Sequence, residues 1–153
     1  DLMKEIGKSP VVLKKEITGF IVNRIQVAML REAFHLMEQG VATAEDIDIA
    51  MKGSMGFKWV FCGPLESQDL AGLQTTKAMV GNILKDLSNT REVPAFLEDM
   101  VKNGKHGIRT NEGFYQYDDY GKNAIRKRDD SYLDLIKLLQ MNRKKKDESV
   151  SFT

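Results

Sequence analysis

Cysteine and histidine are scarce in this chain, which has one cysteine, Cys62, and two histidines among 153 residues. A single cysteine excludes an internal disulfide, and too few cysteines and histidines remain for a zinc site. The acidic residues between positions 46 and 69 fit solvated helix faces better than a ligand set, so we expect no metal. The cysteine usage is typical of a reducing compartment and predicts a cytoplasmic location.

Excess charge of one sign is also missing. The formal net charge is +1, so no global field attracts nucleic acid or a membrane surface. A basic run at 143–146 ends the last helical pattern, where cations complement the helix dipole and stay solvated. No signal-peptide pattern and no apolar run of membrane length is present. We therefore expect neither a nucleic-acid partner nor a membrane association.

A dinucleotide-binding fingerprint is absent as well. Rossmann domains place G-x-G-x-x-G between a strand and a helix, where the backbone approaches the pyrophosphate closely. Gly53, Gly56 and Gly63 are too widely spaced to form it, and no strand-like run leads into a glycine turn. The chain is therefore predicted to contain no cofactor-binding residues.

Helical signals dominate what is present. Thr18 is predicted to cap a helix over 19–39, and Gly40 supplies its left-handed stop. Thr43 and Asp46 form the pattern of a capping box that opens a helix through position 51. Further helices are predicted from Pro64, over 71–87, over 95–103 between Pro94 and Gly104, and over 123–142.

The two ends depart from this pattern. Residues 1–8 indicate the end of a short amphipathic helix, and residues 10–14, PVVLK, indicate a β-rich run that cannot pair with itself. Residues 143–153 are predicted to form a charged, disordered tail. Between them, residues 17–142 form one all-α domain, which is long enough to bury a sizeable core.

Asn23 interrupts the apolar pattern near the start of the first long helix. A buried amide costs a few kcal/mol unless its donors and acceptor are paired. The amide therefore either bonds to local backbone as a structural group or faces a substrate. This segment alone leaves both interpretations open.

Four segments in order along the chain carry a resemblance. Asn23 lies in the first, GFIVNR at 19–24, and the others are MGFKWVFCGPLE at 55–66, DLAGL at 69–73 and GIRTNEGFY at 107–115. In this order and spacing, the sequence resembles the C-terminal domain of the L-3-hydroxyacyl-CoA dehydrogenase family, over roughly residues 9–135. The resemblance covers the family as a whole, including its 3-hydroxybutyryl-CoA dehydrogenase branch and its lambda-crystallin or L-gulonate dehydrogenase branch.

The resemblance implies a helical substrate-binding and dimerisation domain. Residues 1–16 would then be the remnant helix and strand of a missing N-terminal NAD-binding Rossmann domain. The implied activity is NAD-dependent oxidation of 3-hydroxyacyl-CoA to 3-oxoacyl-CoA in fatty-acid metabolism. NAD is expected in the full-length enzyme and not in this chain, which is expected to be inactive alone. A homodimer is expected.

Within the resemblance, Asn23 matches the active-site asparagine, which bonds substrate and helps to position a histidine of the other domain. A donor aimed at the substrate oxygen favours the state in which charge develops there. The family's histidine and glutamate pair belongs to the N-terminal domain, and neither His35 nor His106 falls at a matching position. We expect His35 to be a packing residue and His106 to be exposed.

The predicted substrate-binding residues are Met55, Lys58, Trp59, Pro64 and Leu65. Lys58 and Trp59 are similar to the Arg-aromatic pair of the lambda-crystallin branch, and a cation there would pair with a free carboxylate. Lysine lacks the bidentate fork of arginine, and a solvated lysine is the alternative. The substrate is therefore an acyl-CoA or, alternatively, a free 3-hydroxy acid. A third hypothesis is a non-catalytic oligomerisation module.

Overall fold

The computed structural model describes residues 2–5 and 9–150, which divide into two compact units, Asp1–Arg91 (unit 1) and Glu92–Thr153 (unit 2). The helices of unit 1 are α1 (Leu2–Glu5), α2 (Phe20–Glu38), α3 (Ala44–Met51), α4 (Phe57–Trp59), α5 (Pro64–Ala71) and α6 (Leu73–Ile83). Those of unit 2 are α7 (Ala95–Lys102) and α8 (Lys122–Val150). The described residues form no strand, which confirms the all-α prediction.

The backbone enters α2 through two consecutive left-handed residues, Gly19 with φ 79° and Phe20 with φ 51°. No side chain caps this helix, so the prediction that Thr18 is its N-cap is wrong. The carbonyl oxygen of Thr18 instead accepts a long hydrogen bond of 3.4 Å from Arg24 Nη1. At the other end Gly40 is left-handed, with φ 65°, which confirms the predicted stop.

The capping box at the start of α3 is present as predicted. The amide of Asp46 donates to Thr43 Oγ1 at 3.2 Å, and the amide of Thr43 donates to Asp46 Oδ2 at 3.1 Å. The Thr43 hydroxyl also donates to Asp46 Oδ2 at 2.6 Å. The hydrogen bond from the Thr43 hydroxyl, and to a lesser extent that from the Thr43 amide, hold the pKa of Asp46 below its usual value. These bonds satisfy donors that the first turn would otherwise leave free.

The helix that begins with α3 continues without a break in backbone direction into α4. Residues Lys52–Gly56 between them adopt the wider i→i+5 pattern of a π-helix. The flanking residues Met51 and Phe57 keep ordinary right-handed helical angles. No sequence signal predicted this wide turn.

Pro64 opens α5 as predicted, and Glu66 Oε2 accepts a hydrogen bond from the amide of Gly63 at 3.3 Å. The helix predicted over 71–87 is shorter, because Gly72 with φ 92° separates α5 from α6 and α6 ends at Ile83. The Thr76 hydroxyl donates to Gln68 Oε1 at 3.2 Å and thereby links the two helices.

In unit 2, Pro94 precedes α7, and Gly104 is left-handed with φ 75°, as predicted. Residues 105–121 then form a compact turn segment between α7 and α8. In it the amide of Gly107 donates to the carbonyl of Glu112 at 2.8 Å, and Lys105 Nζ lies 2.7 Å from Glu112 Oε1. Lys105 holds the pKa of the Glu112 carboxyl below its usual value.

Predictions at both ends of the chain need correction. The described residues 9–14 form no strand, because no second strand exists among the described residues to take up their backbone hydrogen bonds. The helix predicted to end at 142 continues to Val150, where a disordered tail was predicted. The residues from 143 onward include arginine, lysine and glutamate, which are good helix formers, and no glycine or proline. The single domain at 17–142 stays a prediction; within this span the chain divides into its two compact units after Arg91.

No large hydrophobic side chain is fully buried in the described part of the chain. In α2, Val22 is 74% exposed, and in α5, Leu65 is 81% exposed. The same holds in unit 2, where Leu133 of α8 is 55% exposed. The predicted sizeable core is therefore not formed by the described residues of this chain alone.

We predict that Gly113→Ala destabilises unit 2. A Cβ at Gly113 would lie 2.8 Å from Cα of Gly107, a backbone atom that cannot yield without opening the turn. The free energy of unfolding should fall by roughly 1–3 kcal/mol, as for other overpacked sites. All four tyrosines lie in unit 2, so urea unfolding followed by tyrosine fluorescence measures the effect.

Gly81→Ala in α6 is the matched control, because nothing lies within 4 Å of its added Cβ. Alanine in a helix interior should leave stability unchanged or raise it by up to about 1 kcal/mol. Equal unfolding midpoints for Gly113→Ala and the wild type would contradict the close approach.

Candidate functional site

Asn23 lies in the first turn of α2 with its side chain exposed. Its amide makes no side-chain hydrogen bond to any residue that the structure describes. The premise that a buried amide must find a protein partner therefore does not apply, because the group faces open space. An unengaged amide offers two N–H donors and one acceptor to a ligand.

Asn23 is one of the residues that line an open cleft of about 340 Å³ in unit 1. Its lining is mainly apolar and comes from two short stretches. The lining residues are Val11, Leu13, Gly19, Phe20, Ile21, Val22 and Asn23. Sequence reasoning named only Asn23 of this set. The signal for Val11 and Leu13 is the apolar run at 10–14, which the sequence predicts as β-rich and not as part of a site.

The left-handed entry into α2 shapes this cleft. Phe20 with φ 51° is a non-glycine residue in a region that bulky side chains seldom occupy. Its amide donates to the carbonyl of Ile17 at 3.1 Å, which closes the turn before the helix. The chain therefore reverses just before Asn23 and brings Val11 and Leu13 into the lining of the same cleft.

The helix start adds polarity of its own. The first amides of an α-helix have no partner within the helix, and the N-terminal end carries a partial positive charge. No side chain caps α2, and only the first amide, that of Phe20, is taken up by a carbonyl, that of Ile17. The next amides of the helix start, those of Ile21 and Val22, therefore remain available beside the Asn23 side chain. Such an arrangement can stabilise an oxygen atom that gains negative charge.

The five predicted substrate-binding residues lie elsewhere in unit 1. Lys58 and Trp59 belong to α4, Met55 lies in the wide turn before it, and Pro64 and Leu65 begin α5. All five are exposed. None of them lines the cleft beside Asn23, so the structure does not bring the predicted set together around the amide.

Lys58 forms no ion pair with any described residue. Its backbone carbonyl accepts hydrogen bonds from the amides of Phe61 at 3.0 Å and Cys62 at 2.9 Å, which end α4. The backbone of Lys58 is thus fixed by a helical turn, while its exposed ammonium group has no ionic partner among the described residues. A lysine in this state can bind an anionic group.

Cys62 is half-buried next to the start of α5. Partial burial raises the pKa of its thiol, and the Glu66 carboxylate raises it further. Because the thiolate is the nucleophile, this thiol is a poor one at neutral pH. No covalent role for Cys62 follows from its surroundings.

The two histidines have no acidic partner among the described residues. His35 is half-buried in the last turn of α2, and His106 is exposed in the turn segment of unit 2. Neither side chain forms an ion pair or hydrogen bond with a carboxylate of the described residues. A histidine and carboxylate base pair is therefore not assembled within the described chain.

The described residues do not fit a dinucleotide. Pyrophosphate is held where a strand passes through a glycine turn into a helix, and no strand exists in the described part of the chain. Over the same residues, no three histidine, cysteine or carboxylate side chains are grouped for a metal ion. No described helix is both long and apolar enough to span a membrane.

Comparison with known proteins identifies the class. A family model described as 3-hydroxyacyl-CoA dehydrogenase, C-terminal domain, matches residues 19–117, a span that contains Asn23 and Lys58. The class is that of a helical domain from a dehydrogenase family. It belongs to the 3-hydroxyacyl-CoA dehydrogenase family, as its C-terminal domain, and the resemblance found in the sequence is confirmed.

Several curated relatives are similar over the same region. The chain is 44% identical over 119 residues to human mitochondrial hydroxyacyl-coenzyme A dehydrogenase, covering 76% of this chain and 37% of that one. It is 38% identical over 117 residues to 5-formyl-3-hydroxy-2-methylpyridine 4-carboxylate 5-dehydrogenase of Mesorhizobium japonicum, covering 76% and 38%. Rabbit (Oryctolagus cuniculus) lambda-crystallin is 45% identical over 69 residues, covering 45% and 22%.

A solved structure has the same fold. The crystal structure of a 5-formyl-3-hydroxy-2-methylpyridine 4-carboxylic acid 5-dehydrogenase, described as an NAD⁺-dependent dismutase, is similar with a TM-score of 0.82 and 33% identity. The match covers 92% of this chain and 45% of that one. The chain therefore spans less than half the length of these relatives.

Proposed function

We propose that this chain is the substrate-binding and dimerisation domain of an NAD-dependent L-3-hydroxyacyl-CoA dehydrogenase of fatty-acid metabolism. The reaction would oxidise a 3-hydroxyacyl-CoA to the 3-oxoacyl-CoA. The observation that carries the proposal is Asn23, an exposed amide without a partner among the described residues, at an apolar cleft within the family-matched span.

In this proposal Asn23 donates a hydrogen bond to the substrate oxygen at C3. When the hydroxyl loses its proton on the way to a carbonyl, negative charge develops on that oxygen. A donor already in place favours this charged state. The uncapped start of α2 acts in the same direction. The apolar residues of the cleft are largely exposed in this chain. Covered by a second domain, they would limit water around the oxygen, and exclusion of water strengthens both interactions.

The remaining chemistry belongs to a second domain. The hydride acceptor and the proton-abstracting base both require groups that the described residues do not provide. We therefore propose that this chain alone neither binds NAD nor turns over substrate. Paired with an NAD-binding domain, it would contribute Asn23 and one wall of the substrate site.

Lys58 favours a second candidate, a dehydrogenase for a free 3-hydroxy acid. Its ammonium is exposed and has no ionic partner among the described residues. The substrate in the name of the Mesorhizobium relative is a carboxylate. A carboxylate bound by Lys58 would form a charge-assisted hydrogen bond. Met55, Trp59, Pro64 and Leu65 would then supply the apolar contacts around it.

Exposed hydrophobic side chains support the proposed dimer. In both units, large apolar residues that a folded protein would cover are more than a third exposed. Isologous contact between two copies is the commonest way for a soluble chain to cover such surface. If that contact were the whole role of the domain, the chain would be a non-catalytic oligomerisation module.

We predict that Asn23→Ala lowers kcat by roughly 10²-fold or more, because one preorganised donor to the developing charge is lost. The measurement is hydride transfer, followed at the nicotinamide absorbance, with this chain joined to an NAD-binding domain. Asn82→Ala, which removes another exposed amide from α6, is the control and should keep full activity. Unchanged kcat in Asn23→Ala would favour the oligomerisation module.

For Lys58→Ala we predict a KM for free hydroxy acids that rises roughly tenfold or more, while kcat changes little. The lost bond binds ground state and transition state alike, and bonds to charged groups are worth about 1.5–3 kcal/mol. Lys58→Arg should keep a low KM, and Lys77→Ala on α6 is the control for charge. Equal effects on acyl-CoA and free acid would remove the second candidate.

The chain should sediment as a dimer at micromolar concentration. A stable interface covers about 1,600 Å² in total, and the exposed apolar side chains of α2, α5, α6 and α8 offer surface of the right chemistry. Sedimentation equilibrium over a hundredfold range of concentration measures the association. A monomer at high micromolar concentration would contradict the dimer.

A further inference from the structure

The wide turn at Lys52–Gly56 contains Met55 and lies directly before Lys58 and Trp59, three of the residues proposed to bind substrate. It joins α3 to α4, and Lys58 and Trp59 follow it by two and three residues. Single π-turns within α-helices are rare and occur frequently at functional sites. In this chain the turn is formed by residues whose own side chains are not part of the cleft beside Asn23.

Gly56 has no Cβ to crowd the turn. A Cβ at this position would lie 3.0 Å from the carbonyl oxygen of Met51, five residues earlier. That oxygen is the acceptor position of the i→i+5 pattern, so the crowding comes from the wide turn itself. The hydroxyl of Ser54 donates to the carbonyl of Ala50 at 2.5 Å, which gives this carbonyl a side-chain donor within the turn.

The wide turn holds one residue more than an α-helical turn. If the same residues closed into an ordinary α-helix, everything after position 56 would rotate by roughly 100° about the axis of α3. Lys58 and Trp59 would then point in a different direction relative to α3. The direction of the ammonium group therefore depends on whether Gly56 keeps the turn wide.

We propose that the i→i+5 turn at Lys52–Gly56 sets the direction of Lys58 and Trp59, and that Gly56 is a positioning residue for the carboxylate of the substrate. The kinetic part of this proposal rests on the proposed role of Lys58 in binding a free acid. The structural part concerns unit 1 alone and can be measured without turnover.

Gly53 supplies a matched control in the same turn. Nothing lies within 4 Å of a Cβ added there, so Gly53→Ala leaves the turn open, whereas Gly56→Ala forces Met51 and residue 56 apart. Deletion of Gly53 is a third variant, since it removes the extra residue. A closed α-helix with one residue fewer returns Lys58 and Trp59 to their original direction.

Trp59 is the single tryptophan of the chain, so its fluorescence reports this helix end in the intact 153-residue protein. Gly56→Ala should shift the emission maximum and change the acrylamide quenching constant, while Gly53→Ala should match the wild type. Adding the Gly53 deletion to Gly56→Ala should restore both values. Circular dichroism checks that each variant is folded.

A folded Gly56→Ala protein with wild-type fluorescence would overturn the proposal. If Gly56→Ala alone does not fold, the double variant decides: a folded protein with wild-type fluorescence supports the role of the turn, and any other result contradicts it.

The kinetic arm uses the same variants joined to an NAD-binding domain. Gly56→Ala should raise KM for a free hydroxy acid by roughly tenfold to a hundredfold, the loss expected when a hydrogen bond to a charged group is misdirected. In a Lys58→Ala background it should raise KM no further, and independent, additive effects would overturn the positioning role. Should Lys58→Ala itself leave KM unchanged, the free-acid function fails while the fluorescence still tests the turn.

Discussion

The left-handed backbone at Gly19 and Phe20 is the constraint on which the candidate site depends. Two such residues in succession turn the chain sharply, and for phenylalanine this conformation is strained. The turn starts α2 without a side-chain cap and brings the preceding apolar stretch against the first helical turn. The exposed amide, the free helix amides and the apolar walls all follow from this single change of direction.

A second constraint is the lack of internal cover. Helices of a globular domain are usually held by burial of an apolar face rather than by propensity. In the described residues those faces remain largely exposed. Local hydrogen bonds therefore contribute more to holding the helices in place. The capping box at Thr43 and the link between Gln68 and Thr76 are examples. The apolar faces are the surface that a second domain or a second copy would complete.

Sequence reasoning predicted those features whose cause is local. Gly40, Thr43 with Asp46, Pro64 and Gly104 each act through their own backbone or a neighbour within a few residues, and each prediction is confirmed. The family was recognised because its motifs keep their order and spacing. The left-handed Phe20 and the wide turn at Lys52–Gly56 were missed, since neither follows from the propensity of a single residue. The β-rich run at 10–14 failed as a strand because a strand depends on a distant partner.

The turn segment of unit 2 has a consequence for how the chain folds. Its hydrogen bonds join residues close in sequence. The amide of Tyr117 donates to the carbonyl of Asn111 at 2.8 Å. The amide of Tyr120, nine residues after Asn111, donates to Asn111 Oδ1 at 2.6 Å. Loops of about ten residues close in roughly 10–100 ns, and local contacts carry little closure entropy. This motif can therefore assemble on the nascent chain as soon as its own residues have emerged, before any partner for the apolar helices is present.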